Sequence, residues 1–302
     1  MNHDHTYDQS DTGDIKIAFY LNLGFTVLEI IGGLWTNSVA ILSDALHDLG
    51  DSLSLGLAWF LGRYAERRED ERYSYGYRRY SLLAALVNTV ILIAGSIFIL
   101  SEAIPRLAQP QRPHAPGMIL FAVGGIAVNG VAALRVRRGH SLNAQMVAWH
   151  LLEDVLGWLA ILIVSIVLLF ADVPILDPIL SILITTYVLY NVIRNLRKTS
   201  ALFLQAVPEE VSIREIERKL LEIEGVCSTH HTHVWSLDGE HHVLTTHVVV
   251  NEEATRDEVL RVKSQIKALI ERMENFEHVT VEVEYSDEAC SMNRGESERL
   301  HG

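Results

Sequence analysis

Two segments of this sequence carry a histidine followed four residues later by an aspartate, inside stretches that are otherwise apolar. The first pair is His47 and Asp51, and the second is His150 and Asp154. Residues four apart lie on one face of a helix, so each pair would direct an imidazole and a carboxylate the same way. Two such helices packed together would present two nitrogens and two oxygens, a tetrahedral set suited to zinc or a similar divalent ion. Because ionisable side chains are costly at membrane depth and usually mark an ion pathway there, we predict an intramembrane metal site.

The first of these segments contains a second pair of acidic residues with the same spacing. Asp44 and Asp48 are also four residues apart, and Asp44 lies near the predicted face of His47. The residue types alone therefore leave two ways for this helix to supply its ligands. Either His47 and Asp51 bind the ion, or Asp44 and Asp48 do.

The composition is that of a membrane protein with a water-soluble appendage. Hydrophobic residues make up 49% of the chain and are concentrated before about residue 200. Residues 207–302, in contrast, carry 10 Lys+Arg against 21 Asp+Glu, which predicts an acidic soluble domain. A large basic patch is absent, which argues against nucleic acid as a partner. The two cysteines, Cys227 and Cys290, form no CxxC pair and imply no disulfide scaffold.

The elements that must position the two motifs are long apolar segments of about twenty residues, the length that crosses the hydrocarbon core. Six are predicted, at about 15–35, 39–62, 82–104, 117–136, 144–170 and 177–196. Most arginines of this region follow the second, fourth and sixth segments, so the positive-inside rule places both termini in the cytoplasm. Asp177 and Pro178 open the sixth segment, and we expect Asp177 to be its N-cap and not a ligand. The first segment lacks the features of a cleaved signal peptide and should remain in the mature protein.

The acidic tail is predicted to be a small α+β domain. Its periodicity indicates helices at 209–224 and about 255–274, and strands at 229–237, 241–250 and 279–284. The order αββαβ suggests a ferredoxin-like sandwich of helices on one sheet. The predicted organisation is a flexible N-terminal tail (1–14), an all-α six-helix transport domain in the membrane (15–200), a cytoplasmic metal-binding and dimerisation domain (207–286) and a flexible C-terminal tail (287–302).

Four stretches of the sequence together resemble the cation diffusion facilitator family, and more closely its zinc-efflux branch. They are SDALHDLGD at 43–51, HLLED at 150–154, LDPILS at 176–181 and HTHVW at 231–235. The resemblance implies a homodimeric antiporter that exports divalent metal in exchange for protons. The run at 44–47 matches the zinc branch and favours His47 and Asp51 over Asp44 and Asp48.

The resemblance also implies specific ligands, carried over by position. The transport ligands would be His47, Asp51, His150 and Asp154. A second site, for regulatory zinc in the cytoplasmic domain, would use His231, His247 and Glu284. Further candidates near these positions are His233 and His278. The loop at 72–78 keeps an aromatic-glycine pattern but has no histidine, so we expect no metal site there.

The chemistry of the first site agrees with the implied transport. With neutral imidazoles the empty site carries two negative charges, which one Zn²⁺ or two protons would neutralise, so metal and protons should compete. We therefore predict a proton-coupled zinc exporter of the bacterial plasma membrane, with zinc as substrate and no cofactor. An enzyme is disfavoured. Metalloproteases combine an HExxH motif with an open zinc position. Here the glutamate follows the histidine at a different offset, and four protein ligands leave no obvious open position. A membrane-bound metal sensor that transports nothing remains the alternative.

Overall fold

A computed structural model describes residue 20 and residues 23–136, 142–273, 275–288 and 290, without the side chains of residues 58, 59 and 142–146. The predicted N-terminal tail and most of the predicted C-terminal tail lie outside the described residues. The chain forms two compact units. The helical unit comprises the described parts of Met1–Gly62 and Leu83–Arg197, and the sheet unit comprises those of Arg63–Leu82 and Lys198–Gly302.

Six helices lie at the positions where the sequence predicts membrane spans. They are α1 (Leu23–Thr36), α2 (Val39–Ala65), α3 (Tyr80–Ala108), α4 (Ala115–Val136), α5 (Leu142–Phe170) and α6 (Leu176–Phe203). Among the described residues, α3, α4, α5 and α6 are long and apolar enough to cross a membrane. The described part of α1 is shorter, and α2 carries three aspartates along its length. Four clear spans are therefore present, and the count of six stays a prediction.

Asp177 caps a helix, but not the one expected from the sequence. Helix α6 begins one residue earlier, at Leu176, so Asp177 lies in its first turn. Its carboxylate instead accepts hydrogen bonds from the backbone N–H of Val39 at 2.9 Å and from the hydroxyl of Ser38, at the start of α2. The prediction of an N-cap for α6 is wrong because the orphan N–H groups that Asp177 satisfies belong to another helix. This bond ties the start of α6 to the start of α2.

Helices α4 and α5 are joined by a tryptophan that lies against a glycine. The Trp158 side chain of α5 is fully buried, and a Cβ atom at Gly125 of α4 would lie only 2.3 Å from its ring. Trp158 follows Asp154 by four residues and His150 by eight, so all three share one face of α5. The packing of this ring therefore fixes the rotation of α5 and the direction of both candidate ligands.

A second glycine lets α5 approach α2. A Cβ atom at Gly157 would lie 3.2 Å from Oδ1 of Asp44, which is tighter than most contacts of this kind. The absence of a side chain at Gly157 therefore permits the close approach of the two helices that carry the HxxxD motifs.

The sheet unit contains the predicted order of helices and strands. Its elements are α7 (Ile213–Leu221), β1 (Val226–Ser236), β2 (His242–Val250), α8 (Arg256–Ile270) and β3 (Phe276–Tyr285). The sheet order is β1-β2-β3, with β1 antiparallel and β3 parallel to β2. The β1–β2 connection turns at Gly239, whose φ of +107° favours glycine. The αββαβ order is thus confirmed, while the ferredoxin-like assignment stays a prediction.

The two faces of this sheet differ in character. Leu244 and Val248 of β2 are fully buried with Leu220 of α7 and Ile266 of α8, so the helices cover one face. Residues alternate between faces along a strand, which places His247 on the opposite face. The hydrophobic core therefore fixes the register that directs His247 away from the helices.

The loop between α2 and α3 belongs to the sheet unit and lies against one end of the sheet. Arg78 Nη2 lies 2.6 Å from Glu277 Oε1, and Arg78 Nη1 lies 3.8 Å from Asp238 Oδ2. The ring of Tyr75 packs edge-on against the imidazole of His278, with centroids 5.2 Å apart. These contacts hold the loop where β1 ends and β3 begins.

Candidate metal centres

The two HxxxD motifs meet in the helical unit. Asp51 Oδ2 lies 3.0 Å from His150 Nε2 and 3.7 Å from His47 Nε2, so this carboxylate of α2 contacts a histidine of each helix. Asp154 Oδ1 lies 3.9 Å from His47 Nε2, and Asp154 Oδ2 lies 3.9 Å from His150 Nε2. One ligand atom each from His47, His150 and Asp154 lie within 4.8 Å of one another. Asp51 adjoins this group of three through its contacts with both imidazoles.

One side of this group is accessible and the other is closed. The side chains of Asp51 and His150 are 34% and 35% exposed, whereas that of Asp154 is 1% exposed. The imidazole of His47 lies between these extremes, at 23%. Asp51 and His150 therefore form the open side of the group, and Asp154 forms its buried wall.

The alternative ligands on α2, Asp44 and Asp48, are buried and do not pair with the two imidazoles. Asp44 and Asp48 are 4% and 1% exposed. Among the described residues, neither carboxylate forms an ion pair with His47 or His150, whose partners are Asp51 and Asp154. This geometry supports the His47/Asp51 register.

A second group of metal-binding side chains lies in the sheet unit. His247 Nδ1 lies 2.7 Å from Glu284 Oε1, and His230 Nε2 lies 3.1 Å from Glu284 Oε2. Cys290 Sγ lies 3.7 Å from His247 Nδ1. One ligand atom from each of these four residues fits within 4.8 Å of the others. On the other side of the imidazole, His247 Nε2 lies 3.3 Å from Glu282 Oε2.

The remaining candidate histidines occupy three different surroundings. His231 has a φ of +49° at the irregularity between His230 and His233, and its ring lies 5.4 Å from that of His247. It adjoins the four-residue group without belonging to it. His233 is exposed, with its ring 6.4 Å from that of His231. His278 packs against Tyr75 at the other end of the sheet.

Sequence reasoning missed His230 and Cys290 as members of the second group. Strand pairing places His230 directly opposite His247 and His247 opposite Glu282, so Glu284 is the diagonal neighbour of His247 on the same face. The pairing of β1 with β2 was the signal that could have selected His230 over His231. Cys290 follows the last strand, and no pattern in the sequence indicates its approach.

The carboxylate of Glu284 is held in its charged form within this group. Burial acts to raise the pKa of Glu284, but hydrogen bonds from His247 and Cys290 and the neighbouring imidazoles hold the pKa below its ordinary value. A charged carboxylate among two imidazoles and a thiol is a donor set that suits zinc.

Comparison with known proteins extends this geometry to nearly the whole chain. Residues 15–204 match the cation efflux transmembrane domain, and residues 208–286 match the cation efflux protein cytoplasmic domain. The chain belongs to the cation efflux family. Both HxxxD motifs fall within the first match, and the strand histidines fall within the second.

Individual relatives match this cation efflux protein over almost their full length. Zinc transporter ZitB of Pectobacterium atrosepticum is 33% identical over 97% of this chain and 93% of its own. The cadmium, cobalt and zinc/H(+)-K(+) antiporter of Bacillus subtilis is 31% identical over 94% of this chain and 92% of its own. The metal cation efflux system protein CzcD of Cupriavidus metallidurans is 31% identical over 93% and 89%.

Proposed function

We propose that this protein exports divalent metal cations from the cytoplasm, with zinc as its main substrate. The observation that carries the proposal is the meeting of four side chains from α2 and α5, with nitrogen–oxygen distances of 3.0–3.9 Å. The proposed ligands are His47 and Asp51 of α2 with His150 and Asp154 of α5. A mixed nitrogen and oxygen set suits zinc, and relatives named for zinc, cadmium and cobalt support this class of ion.

Export is proposed to be coupled to protons moving the opposite way. Metal binds these ligands only when they are deprotonated, so a proton and a metal ion exclude each other from the same atoms. The two carboxylates carry two negative charges when ionised, which matches the charge of one divalent cation or two protons. The name of the Bacillus subtilis antiporter includes H(+), which supports the same coupling.

The proposed molecule is a homodimer in the bacterial plasma membrane, with six spans and both termini in the cytoplasm. The arginine-rich loops after the second, fourth and sixth segments support this orientation. The match of residues 208–286 to the family's cytoplasmic domain supports its place on the same side. Transport, and not enzymatic chemistry, is the activity that this architecture supports.

The group of His230, His247, Glu284 and Cys290 is proposed to bind a regulatory zinc ion from the cytoplasm. The sequence predicted His231, His247 and Glu284 as ligands, and the last two of these belong to the group. The four-residue set is preferred because its ligand atoms lie within 4.8 Å of one another. This group also favours the second candidate function, a membrane-bound sensor that binds zinc and moves none.

Flux measurements on the purified protein in liposomes separate the two functions. A zinc dye in the lumen should report uptake by the wild type, and His150→Ala should abolish it, because this variant loses one of the two imidazoles. The same vesicles should be tested with Cd²⁺, Co²⁺, Mn²⁺ and Fe²⁺ to rank the substrates. Zinc binding without uptake by the wild type would contradict the transporter and support the sensor.

A further inference from the structure

Glu153 of α5 is a carboxylate that the four proposed ligands leave unused. It directly precedes Asp154, its side chain is exposed, and the hydroxyl of Tyr187 on α6 donates a hydrogen bond to Glu153 Oε1. The surrounding surface of α5 is apolar, with Trp149 73% exposed and Leu156 65% exposed. Glu153 is thus an acidic group on an otherwise apolar helix surface.

At the position of Glu153 along α5, contact of its carboxylate with lipid would be energetically unfavourable. Glu153 lies eleven residues after the start of α5 at Leu142 and seventeen before its end at Phe170, close to the middle of the helix. A charged side chain within a membrane helix is energetically costly, and such groups are usually retained along ion pathways. A neutral residue would avoid this cost, so the carboxylate is expected to serve a function.

Glu153 is a neighbour of one of the two exposed ligands of the metal group. It follows His150 by three residues, which makes the two side chains neighbours on the surface of α5. His150 is one of the two exposed ligands, whereas Asp154 forms the buried wall. The hydrogen bond from Tyr187 restricts the Glu153 side chain.

We propose that Glu153, positioned by Tyr187, attracts divalent cations to the open side of the His47/Asp51/His150/Asp154 site. This inference rests on the proposed transport function. A fixed negative charge at the mouth of a low-dielectric site raises the local concentration of cations and their rate of arrival. Glu153 leaves the coordination of the bound ion to the four ligands. It should therefore set the metal concentration needed for half-maximal transport, KM, and leave the maximal rate, kcat, unchanged.

The test measures initial zinc uptake against zinc concentration in liposomes that contain the full-length protein. Glu153→Gln keeps the size of the side chain and removes its charge, and it should raise KM about tenfold with kcat unchanged. Glu153→Asp keeps the charge and should stay within about twofold of the wild type. Tyr187→Phe keeps the ring and loses the hydrogen bond, and it should raise KM about threefold.

Two controls separate electrostatic capture from other roles. Asp172→Asn removes a negative charge just beyond the other end of α5, where Asp172 pairs with Arg112, and its KM should equal that of the wild type. High salt screens the attraction of exposed charges, so the KM difference between wild type and Glu153→Gln should shrink at about 1 M KCl. A purely structural role would show no such dependence on salt.

Several outcomes would overturn the inference. One is an unchanged KM for Glu153→Gln in vesicles where the wild type transports zinc. Another is a lowered kcat together with loss of dimer on size exclusion at unchanged KM, which would assign Glu153 to subunit packing. A tenfold KM increase in Asp172→Asn would also contradict it. Absence of uptake by the wild type would instead reject the proposed transport function, so the two failures are distinguishable.

Discussion

At the scale of single residues, the Asp51 carboxylate contacts both histidines of the proposed transport site. Its Oδ2 atom lies 3.0 Å from His150 Nε2 and 3.7 Å from His47 Nε2. Asp44, on the same helix, is buried and pairs with neither imidazole. The two aspartates therefore have different expected roles, although both belong to i, i+4 pairs on α2.

Replacement of these two aspartates should separate the two possible registers. Groups that merely orient metal ligands are worth 10–100-fold in affinity or activity, so Asp51→Ala should lower zinc transport by at least about tenfold. Asp44→Ala should retain more transport, measured as uptake per folded protein. Loss of transport in Asp44→Ala with full retention in Asp51→Ala would overturn the proposed ligand set.

The group in the sheet unit allows a similar test of individual ligands. In a His150→Ala background, which removes one ligand of the proposed transport site, full-length protein should still bind zinc through His230, His247, Glu284 and Cys290. His230→Ala and Cys290→Ser should each weaken this binding by about tenfold or more in equilibrium dialysis. His233→Ala is the matched control, because its exposed ring lies outside the group. Equal losses in the control and the ligand variants would reject the assignment.

At the scale of elements, the proposed transport site depends on how α5 packs on α4. Trp158 shares a face with His150 and Asp154, and its ring lies where a Cβ of Gly125 would be 2.3 Å away. A methyl group at Gly125 would displace the ring and rotate the ligands with it. The neighbouring Gly124 has space, since the nearest atom to its added Cβ is 3.8 Å away, in the ring of Phe25.

This pair of glycines provides a matched comparison. Overpacking a buried contact costs about 1–3 kcal/mol, so Gly125→Ala should lower the thermal midpoint by several degrees and reduce zinc transport. Gly124→Ala should change neither by a comparable amount. Both are measured by thermal unfolding in detergent and uptake in liposomes. Equal behaviour of the two variants would contradict the role given to Trp158.

The β1–β2 turn gives a prediction about acid stability. Burial acts to raise the pKa of Asp238, but the backbone N–H groups of Glu240 and His241 and the His241 ring hold it below its ordinary value. Asp238 therefore stabilises the fold above its unfolded pKa of about 4, and this contribution is lost as pH falls through the lower folded pKa.

The variant Asp238→Asn should unfold at a lower temperature than the wild type at pH 6, by about 2–4 °C, because the charged acceptor is missing. The difference should narrow as pH falls below about 4, as Asp238 in the wild type becomes protonated. Glu240→Gln, at a neighbouring exposed carboxylate, is the control. A gap that widens toward pH 3 would show that the sign assigned to Asp238 is wrong.

The sequence predicted elements well wherever one periodic pattern dominated. Helices occur at all six apolar segments. The αββαβ order was predictable because apolar and polar residues alternate in β1 and β2, as expected for strands with one face covered by helices. The errors came from contacts between distant residues. Asp177 caps α2 because that helix starts beside it, and His230 joins His247 because two strands pair in one register. Such contacts depend on tertiary packing, which local spacing does not encode.

At the scale of the whole molecule, the family assignment covers both predicted domains, at residues 15–204 and 208–286. The first contains the proposed ion ligands, and the second contains the acidic, histidine-bearing sheet. Transport and metal sensing are thus proposed for separate parts of one chain. The central claim is that metal and protons compete for the ligands of the first part.

The most direct test of this claim records zinc uptake in liposomes while the lumen pH is varied at constant external pH. Zinc moving inward in exchange for protons moving outward predicts faster uptake when the lumen is acidic, together with alkalinisation of the lumen as zinc enters. His150→Ala should show neither response. Zinc uptake that is indifferent to the pH gradient, or that persists at the wild-type rate in His150→Ala, would contradict proton-coupled export through this site.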